Sequence, residues 1–286
     1  MHLRAFAFCA SGGCSVSLTG RRVVSGIKKC GRFDGTEMNV RFRNTRKMAL
    51  VLLCTAGLFL MLFSINVSAK GRKRFAILGD SYSAYYGMIP KGYECSYAIK
   101  GKDGENKWPN NINHVSQMWW YRLIKTGRYK MTVNCSYSGS CFGYIYKGGK
   151  SHNRTSYLSR MRKYLNGKRT KADLIFVQGG TNDSWRKKPI GKVKFEKWTK
   201  EDLRKALPSF SYILNYLKKK YPKAEIVVLI NDKYICPRLV RGMQSACAYY
   251  QVPYIMLGNI STQSRHPDKK GQKQIYRKVS TFLNGK

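Results

Sequence analysis

The sequence predicts an α/β fold in which a central parallel sheet is covered on both faces by helices. Three observations carry this. Short unbroken apolar runs at residues 75–78, 173–178 and 225–230 alternate with longer stretches of helical spacing. Unbroken runs belong to strands buried on both faces, whereas a half-exposed strand would alternate apolar and polar residues. Polar, glycine-bearing clusters follow three of the strands, at Gly79-Asp80-Ser81, Ser136–Ser140 and Gly179–Asp183. In an open parallel sheet, ligands sit beyond the carboxyl ends of the strands, where such clusters converge.

The elements follow in order. Residues 75–78 form a first strand that ends in the tight turn at Gly79-Asp80-Ser81, and the Tyr-, Gly- and Asn-rich residues 82–113 form an irregular loop region. Residues 115–126 have helical spacing, with Gly127 as the stop, and residues 130–135 form a second strand. A helix over 156–165 precedes the strand at 173–178. Thr199 and Asp202 give a partial capping signal for a helix over 200–220, in which Pro208 predicts a kink. A strand at 225–230, a helix at 238–250, a short strand at 254–257 and a closing helix over 268–283 complete the chain, with His266-Pro267 just before that helix.

The fold is expected in residues 70–286, one ordinary α/β domain. Residues 48–69 read as a secretory signal, because basic Arg41, Arg43, Arg46 and Lys47 precede an apolar run that ends at Val67-Ser68-Ala69. A retained membrane anchor over 49–67 is the alternative, since the run approaches the roughly 18 residues that span a bilayer. Residues 1–47 show no periodicity and read as a gene-model extension or a long basic leader region, with translation starting at Met38 or Met48. The expected location is therefore outside the cytoplasm, with membrane contact only through the signal or anchor.

The chain carries 54 Lys and Arg against 14 Asp and Glu, and the first 69 residues hold only 10 of the former and 2 of the latter. The basic excess therefore belongs to the predicted domain. It is read as a solvated surface or as attraction to an acidic polymer or anionic membrane; no nucleic-acid module is present and the basic residues form no arm. Past residue 69 lie Cys95, Cys135, Cys141, Cys236 and Cys247, an odd number in no zinc spacing, with Cys236–Cys247 as the expected bridge if one forms. Neither a metal nor an organic cofactor is implied.

Four positions offer acyl-transfer chemistry. A serine hydroxyl needs a base and needs donors aimed at the oxygen that becomes negative. Ser81 lies on a strand-to-loop turn, Gly139 on a small-residue turn whose N–H can approach a ligand, Asn182 offers a side-chain amide, and His266 precedes a rigid proline. Each taken alone is more often structural. Asp80 and Asp183 read as supports that bond the backbone of their own turns.

Taken together, Gly79-Asp80-Ser81-Tyr82-Ser83, Asn134–Ser140, Gly180-Thr181-Asn182-Asp183 and His266-Pro267 with Gly271 resemble the four blocks of the SGNH, or GDSL-like, hydrolases. Trp119-Trp120-Tyr121 and Gln178–Trp185 are similar to an exported Bacteroidetes-type branch. The resemblance implies a flavodoxin-like three-layer α/β/α sandwich and a serine esterase. It also implies Ser81 as nucleophile, His266 as base, and Ser81 N–H, Gly139 N–H and Asn182 as oxyanion hole. The family's usual aspartate, three residues before the histidine, is here Gln263. Either Ser81 and His266 act as a dyad with a carbonyl of Gln263 or of the backbone holding the ring, or Asp232 or Asp268 supplies the acid. The expected substrate is an ester, an O-acetylated glycan, with an acidic one suited to the basic surface; the aromatic residues between Tyr82 and Trp120 serve as sugar platforms or as packing. A lipase or lysophospholipase, and a glycan-binding or envelope protein whose site has decayed, are the alternatives.

Overall fold

The computed structural model describes residues 71–98, 109–144, 153–186 and 189–285. The expected leader at 48–69 and the stretch before it lie outside the described residues. Five strands form one parallel sheet: β1 Lys73–Leu78, β2 Tyr129–Asn134, β3 Leu174–Gln178, β4 Glu225–Ile230 and β5 Tyr254–Met256, in the order β2-β1-β3-β4-β5. This is the flavodoxin-like order, whose direction of winding reverses between β1 and β3. The helices that flank the sheet include α1 Trp119–Lys125, α2 Tyr157–Tyr164, α3 Thr181–Trp185, α4 Ala206–Lys220, α5 Pro237–Tyr249 and α6 Lys269–Asn284. None of them is long and apolar enough to cross a membrane.

The unbroken apolar runs are explained by alternation between two cores. Ala76, Ile175, Val177, Val228 and Ile230 face one core with Met161 of α2, Phe210 and Leu214 of α4 and Met243 of α5. Their strand neighbours Phe75, Ile77, Phe176, Val227 and Leu229 face the other, with Trp119 and Leu123 of α1 and Ile275 and Val279 of α6. Both faces of each central strand are covered, so the strand centres are apolar and polar residues fall at the strand ends.

Four expectations change. The helix foreseen over 115–126 is a short 3-10 turn, Val115–Gln117, followed by α1, because Met118 is extended (ψ 143°) and the Trp119 N–H is taken by Gln272 Oε1 at 3.0 Å. Pro208 kinks nothing: α4 begins at Ala206, so the proline lies in the first turn, where its missing N–H has no intrahelical partner to lose. Thr199 and Asp202 do bond reciprocally, but they open a separate 3-10 turn, Asp202–Arg204. Cys236 and Cys247 are both free; they sit at the N-cap and near the last turn of α5, roughly 16 Å apart at the helical rise, well beyond the reach of a disulfide.

One side chain ties the loops at the sheet's carboxyl edge. Arg160 of α2 is fully buried. Its Nη1 donates to the Gly79 carbonyl at 2.9 Å and to the Cys135 carbonyl, its Nη2 to Ser140 Oγ at 2.7 Å, and its Nε to the Thr155 carbonyl at 2.7 Å. Its guanidinium also lies 4.4 Å from the centre of the Tyr157 ring. The loops after β1 and β2 are thereby held to one cation. Replacement by methionine leaves several buried acceptors without donors, at about 1–3 kcal/mol each. Arg160→Met is therefore expected to lose at least about 3 kcal/mol in urea unfolding, with Arg160→Lys losing less; a loss under about 1 kcal/mol in Arg160→Met would contradict this role.

Candidate active site

The turn after β1 is fixed from every side. Burial drives the Asp80 carboxyl up to about 6, against the Tyr82 N–H bond to Oδ1 and the Arg160 charge, which favour the anion. Past Ser81, the Tyr82 carbonyl accepts from Gln272 Nε2 of α6, and the Ser83 carbonyl accepts from Trp120 Nε1 and Asn134 Nδ2. Trp119 Nε1 donates to Ser83 Oγ at 3.0 Å. The two tryptophans, fully buried, are packing and scaffolding for this turn rather than a sugar platform. Their sequential position on α1 lets both indole N–H groups reach one serine.

Ser81 keeps its own groups unspent. Neither its N–H nor its Oγ makes a hydrogen bond among the described residues, although its side chain is almost buried. The Gly139 N–H is likewise unengaged, in a turn at φ +79° where a side chain would be strained and a Cβ would stand 2.9 Å from Arg186 Nη2. Asn182, in the first turn of α3, is buried, and its Nδ2 has no partner. Asp183 accepts from the Phe142 N–H, whose nitrogen lies 3.2 Å from both carboxylate oxygens, tying α3 to the loop that carries Gly139.

His266 lies on a two-residue hairpin that the sequence did not reveal. Strands β6 Thr262–Gln263 and β7 His266–Pro267 pair antiparallel around Ser264 and Arg265, both at positive φ (48° and 63°). Such a turn ordinarily takes Asn or Gly. It brings the Ser264 carbonyl 3.0 Å from His266 Nδ1. A carbonyl only accepts, so Nδ1 carries the proton and Nε2 is the basic nitrogen. The Gln263 side chain is exposed and makes no bond to the ring; the group bonded to Nδ1 is the Ser264 carbonyl. The candidate acids are engaged elsewhere: Asp232 Oδ1 accepts from the Gly258 N–H, and Asp268 caps α6 at Gly271 and accepts from Ser261 Oγ.

Aromatic groups complete the histidine's setting. Tyr82 OH donates to the Arg265 carbonyl at 2.9 Å and accepts from Asn231 Nδ2 at 2.8 Å, while Tyr97 OH donates to the Pro267 carbonyl at 2.8 Å. The rings of Tyr82, Tyr97 and Trp185 stand edge-on to the imidazole, with centroids 5.9, 6.4 and 6.5 Å away. Burial lowers the pKa of His266 below its ordinary value, opposed by the bond to Ser264. Nε2 faces Ser96 Oγ at 3.5 Å, a hydroxyl that also lies 2.8 Å from Ser138 Oγ. There is no bond between Ser81 and His266 themselves, as is common in unliganded sites.

Ser81, Gly139, Asn182 and His266 line one cleft of about 860 Å³. Sequence reading missed Arg160, Ser96, Tyr97 and Trp185; no spacing could show them, since each reaches the site across the fold. No group of His, Cys, Asp and Glu among the described residues is arranged to hold a metal.

The comparisons with known proteins bear on the family and the fold. The model of the GDSL-like lipase/acylhydrolase family matches residues 73–283. The crystal structure of a GDSL-like lipase from Bacteroides uniformis is 33% identical, with a TM-score of 0.68 over 76% of this chain and 98% of that one. Another from Bacteroides ovatus is 31% identical, with a TM-score of 0.67 over 76% of this chain and 100% of that one. No curated protein matches the sequence. With five parallel strands in flavodoxin-like order and a family match over nearly all of the described residues, the chain belongs to the GDSL-like lipase/acylhydrolase family, the SGNH hydrolases.

Proposed function

We propose that this hydrolase is an exported serine esterase that removes O-acetyl groups from a carbohydrate. The observation that carries the reading is the set of three unspent donors, Ser81 N–H, Gly139 N–H and Asn182 Nδ2, on the same cleft as an unbonded serine hydroxyl and a neutral imidazole. Donors fixed before the reaction stabilise a developing oxyanion without reorganising.

In the proposed cycle His266 Nε2 takes the Ser81 proton as Oγ attacks the ester carbonyl. The oxyanion forms against the three donors. The imidazolium then protonates the leaving alcohol, and water repeats the sequence on the acyl-serine to release the acid and the free enzyme. The carbonyl of Ser264 holds the ring in place of the usual carboxylate, so Ser81 and His266 act as a dyad. The reading of export rests on the sequence of residues 48–69, and that of an acetylated glycan on the basic surface.

The test is hydrolysis of chromogenic acetyl and octanoyl esters. Acetyl-preferring activity that disappears in Ser81→Ala and His266→Ala supports the reading. Octanoyl preference would favour a lipase, and a wild type no faster than Ser81→Ala would leave a binding protein.

Asn182→Ala is expected to lower kcat by about 10²–10³ with little change in KM, as for loss of one oxyanion donor. A change confined to KM would remove Asn182 from the oxyanion hole.

Gln263→Ala is expected to keep kcat within about threefold of wild type, because the ring is held by a backbone carbonyl; a loss beyond about tenfold would return the orienting role to that side chain.

The base must be neutral, and burial favours the neutral form. The acid limb of kcat/KM is therefore expected below pH 6.5, the ordinary histidine value, with activity lost as pH falls through it. A midpoint above 6.5 in the pH–rate profile would rule this out.

A further inference from the structure

The cleft carries a charge pattern that acyl transfer does not use. Arg186, the residue that ends α3, places Nη2 where a Cβ on Gly139 would lie within 2.9 Å, so its guanidinium rests against the glycine whose N–H faces the cleft. Arg265, at the tip of the histidine hairpin, holds its guanidinium 5.6 Å from the centre of the Trp185 ring. Both line the cleft and both are exposed. Neither guanidinium has an ion pair or hydrogen bond among the described residues, whereas Arg74 and Arg204 are paired with Asp173 and Glu201. Glu94 is the acid on the cleft wall, so the lining holds two guanidinium cations and one carboxylate.

Two features set this pair apart from the general basic surface. Arg265 occupies a backbone position at φ +63° that ordinarily takes Asn or Gly, and a strained residue at a ligand cleft is a pointer to function. Trp185 lies between the catalytic and charged groups: its ring stands edge-on to His266 and carries Arg265 on its face. An arginine stacked on an indole loses little further freedom when it binds, and its planar fork matches an oxyanion.

We propose that Arg186 and Arg265 form an anion subsite at the cleft, so that the natural ester is borne by a polysaccharide with an anionic group close to the acylated position. The chemistry recognised is the trigonal or tetrahedral oxyanion of a sugar, either a uronate carboxylate or a sulfate. This rests on the esterase reading for its place in catalysis, but the anion site itself is testable without turnover.

The experiment is calorimetric titration of the protein with three oligosaccharides of equal length: a galacturonate oligomer, a sulfated galactose oligomer and a neutral galactose oligomer. It is repeated on Arg186→Met/Arg265→Met and on Lys218→Met/Lys219→Met. The second pair removes the same charge from exposed positions in the last turn of α4, at the opposite edge of the sheet. At least one anionic oligomer is expected to bind at least tenfold more tightly than the neutral one. That preference should fall at least fivefold in the arginine variant and less than twofold in the lysine variant, and which oligomer leads identifies the carboxylate or the sulfate. Equal binding of all three oligomers, or equal losses in the two variants, would overturn the subsite and leave only a diffuse basic field. Aryl acetate hydrolysis by the same wild-type sample reports separately on the esterase reading.

Discussion

A buried cation with no salt-bridge partner among the described residues is the constraint on which the site depends. The guanidinium of Arg160 meets carbonyl oxygens, a serine hydroxyl and an aromatic face, and none of its bonds goes to a carboxylate. Removing a cation from water is costly unless every proton finds an acceptor. The loops after β1 and β2 therefore have to bring their carbonyls to fixed points around it. A peptide plane whose carbonyl is aimed inward has its N–H aimed the other way, so satisfying the arginine also constrains the turns that carry Ser81 and Gly139. Burial pushes the carboxyl of Asp80 up to about 6, and the Arg160 charge opposes that rise.

The second organising element is α6. Its Gln272 donates to the Tyr82 carbonyl and accepts from the Trp119 N–H, linking the nucleophile turn to the start of α1. The approach is close: a Cβ on Gly271 would lie 2.0 Å from the Ser261 carbonyl oxygen, so only glycine lets the helix start so near the histidine hairpin. Asp268 secures the same junction as the N-cap. Ser81 and His266, 185 residues apart in sequence, are thus referred to one helix end.

Much of this was legible in the sequence, and the reason is local. Residues 174–177 and 226–230 are apolar at every position, which only a strand buried on both sides requires, and the strand bounds fell within a residue or two. Ser81, Gly139, Asn182 and His266 were singled out together rather than one by one, as four short blocks in order, each after a strand or before the last helix. What stayed hidden depends on contacts across the chain. Arg160 looks like any basic helical residue among 54 Lys and Arg. The hairpin at Ser264-Arg265 lacks the Asn-Gly signature of its turn, so nothing announced it. Pro208 was misread because helix starts are set by tertiary contact as much as by composition; the N–H groups of Ala206 and Leu207 bond Pro189 and Ile190 carbonyls, and the helix starts there.

The bond from His266 to Ser264 has an evolutionary corollary. A carboxylate partner depends on the identity of one side chain and can be lost by a single base change, whereas a main-chain oxygen is supplied by all twenty residues. Side-chain drift at position 264 leaves the acceptor in place provided the turn keeps its shape, so selection there acts on backbone conformation rather than on chemical identity. A comparison of related sequences that scores only residue identity would pass over the group that holds the imidazole.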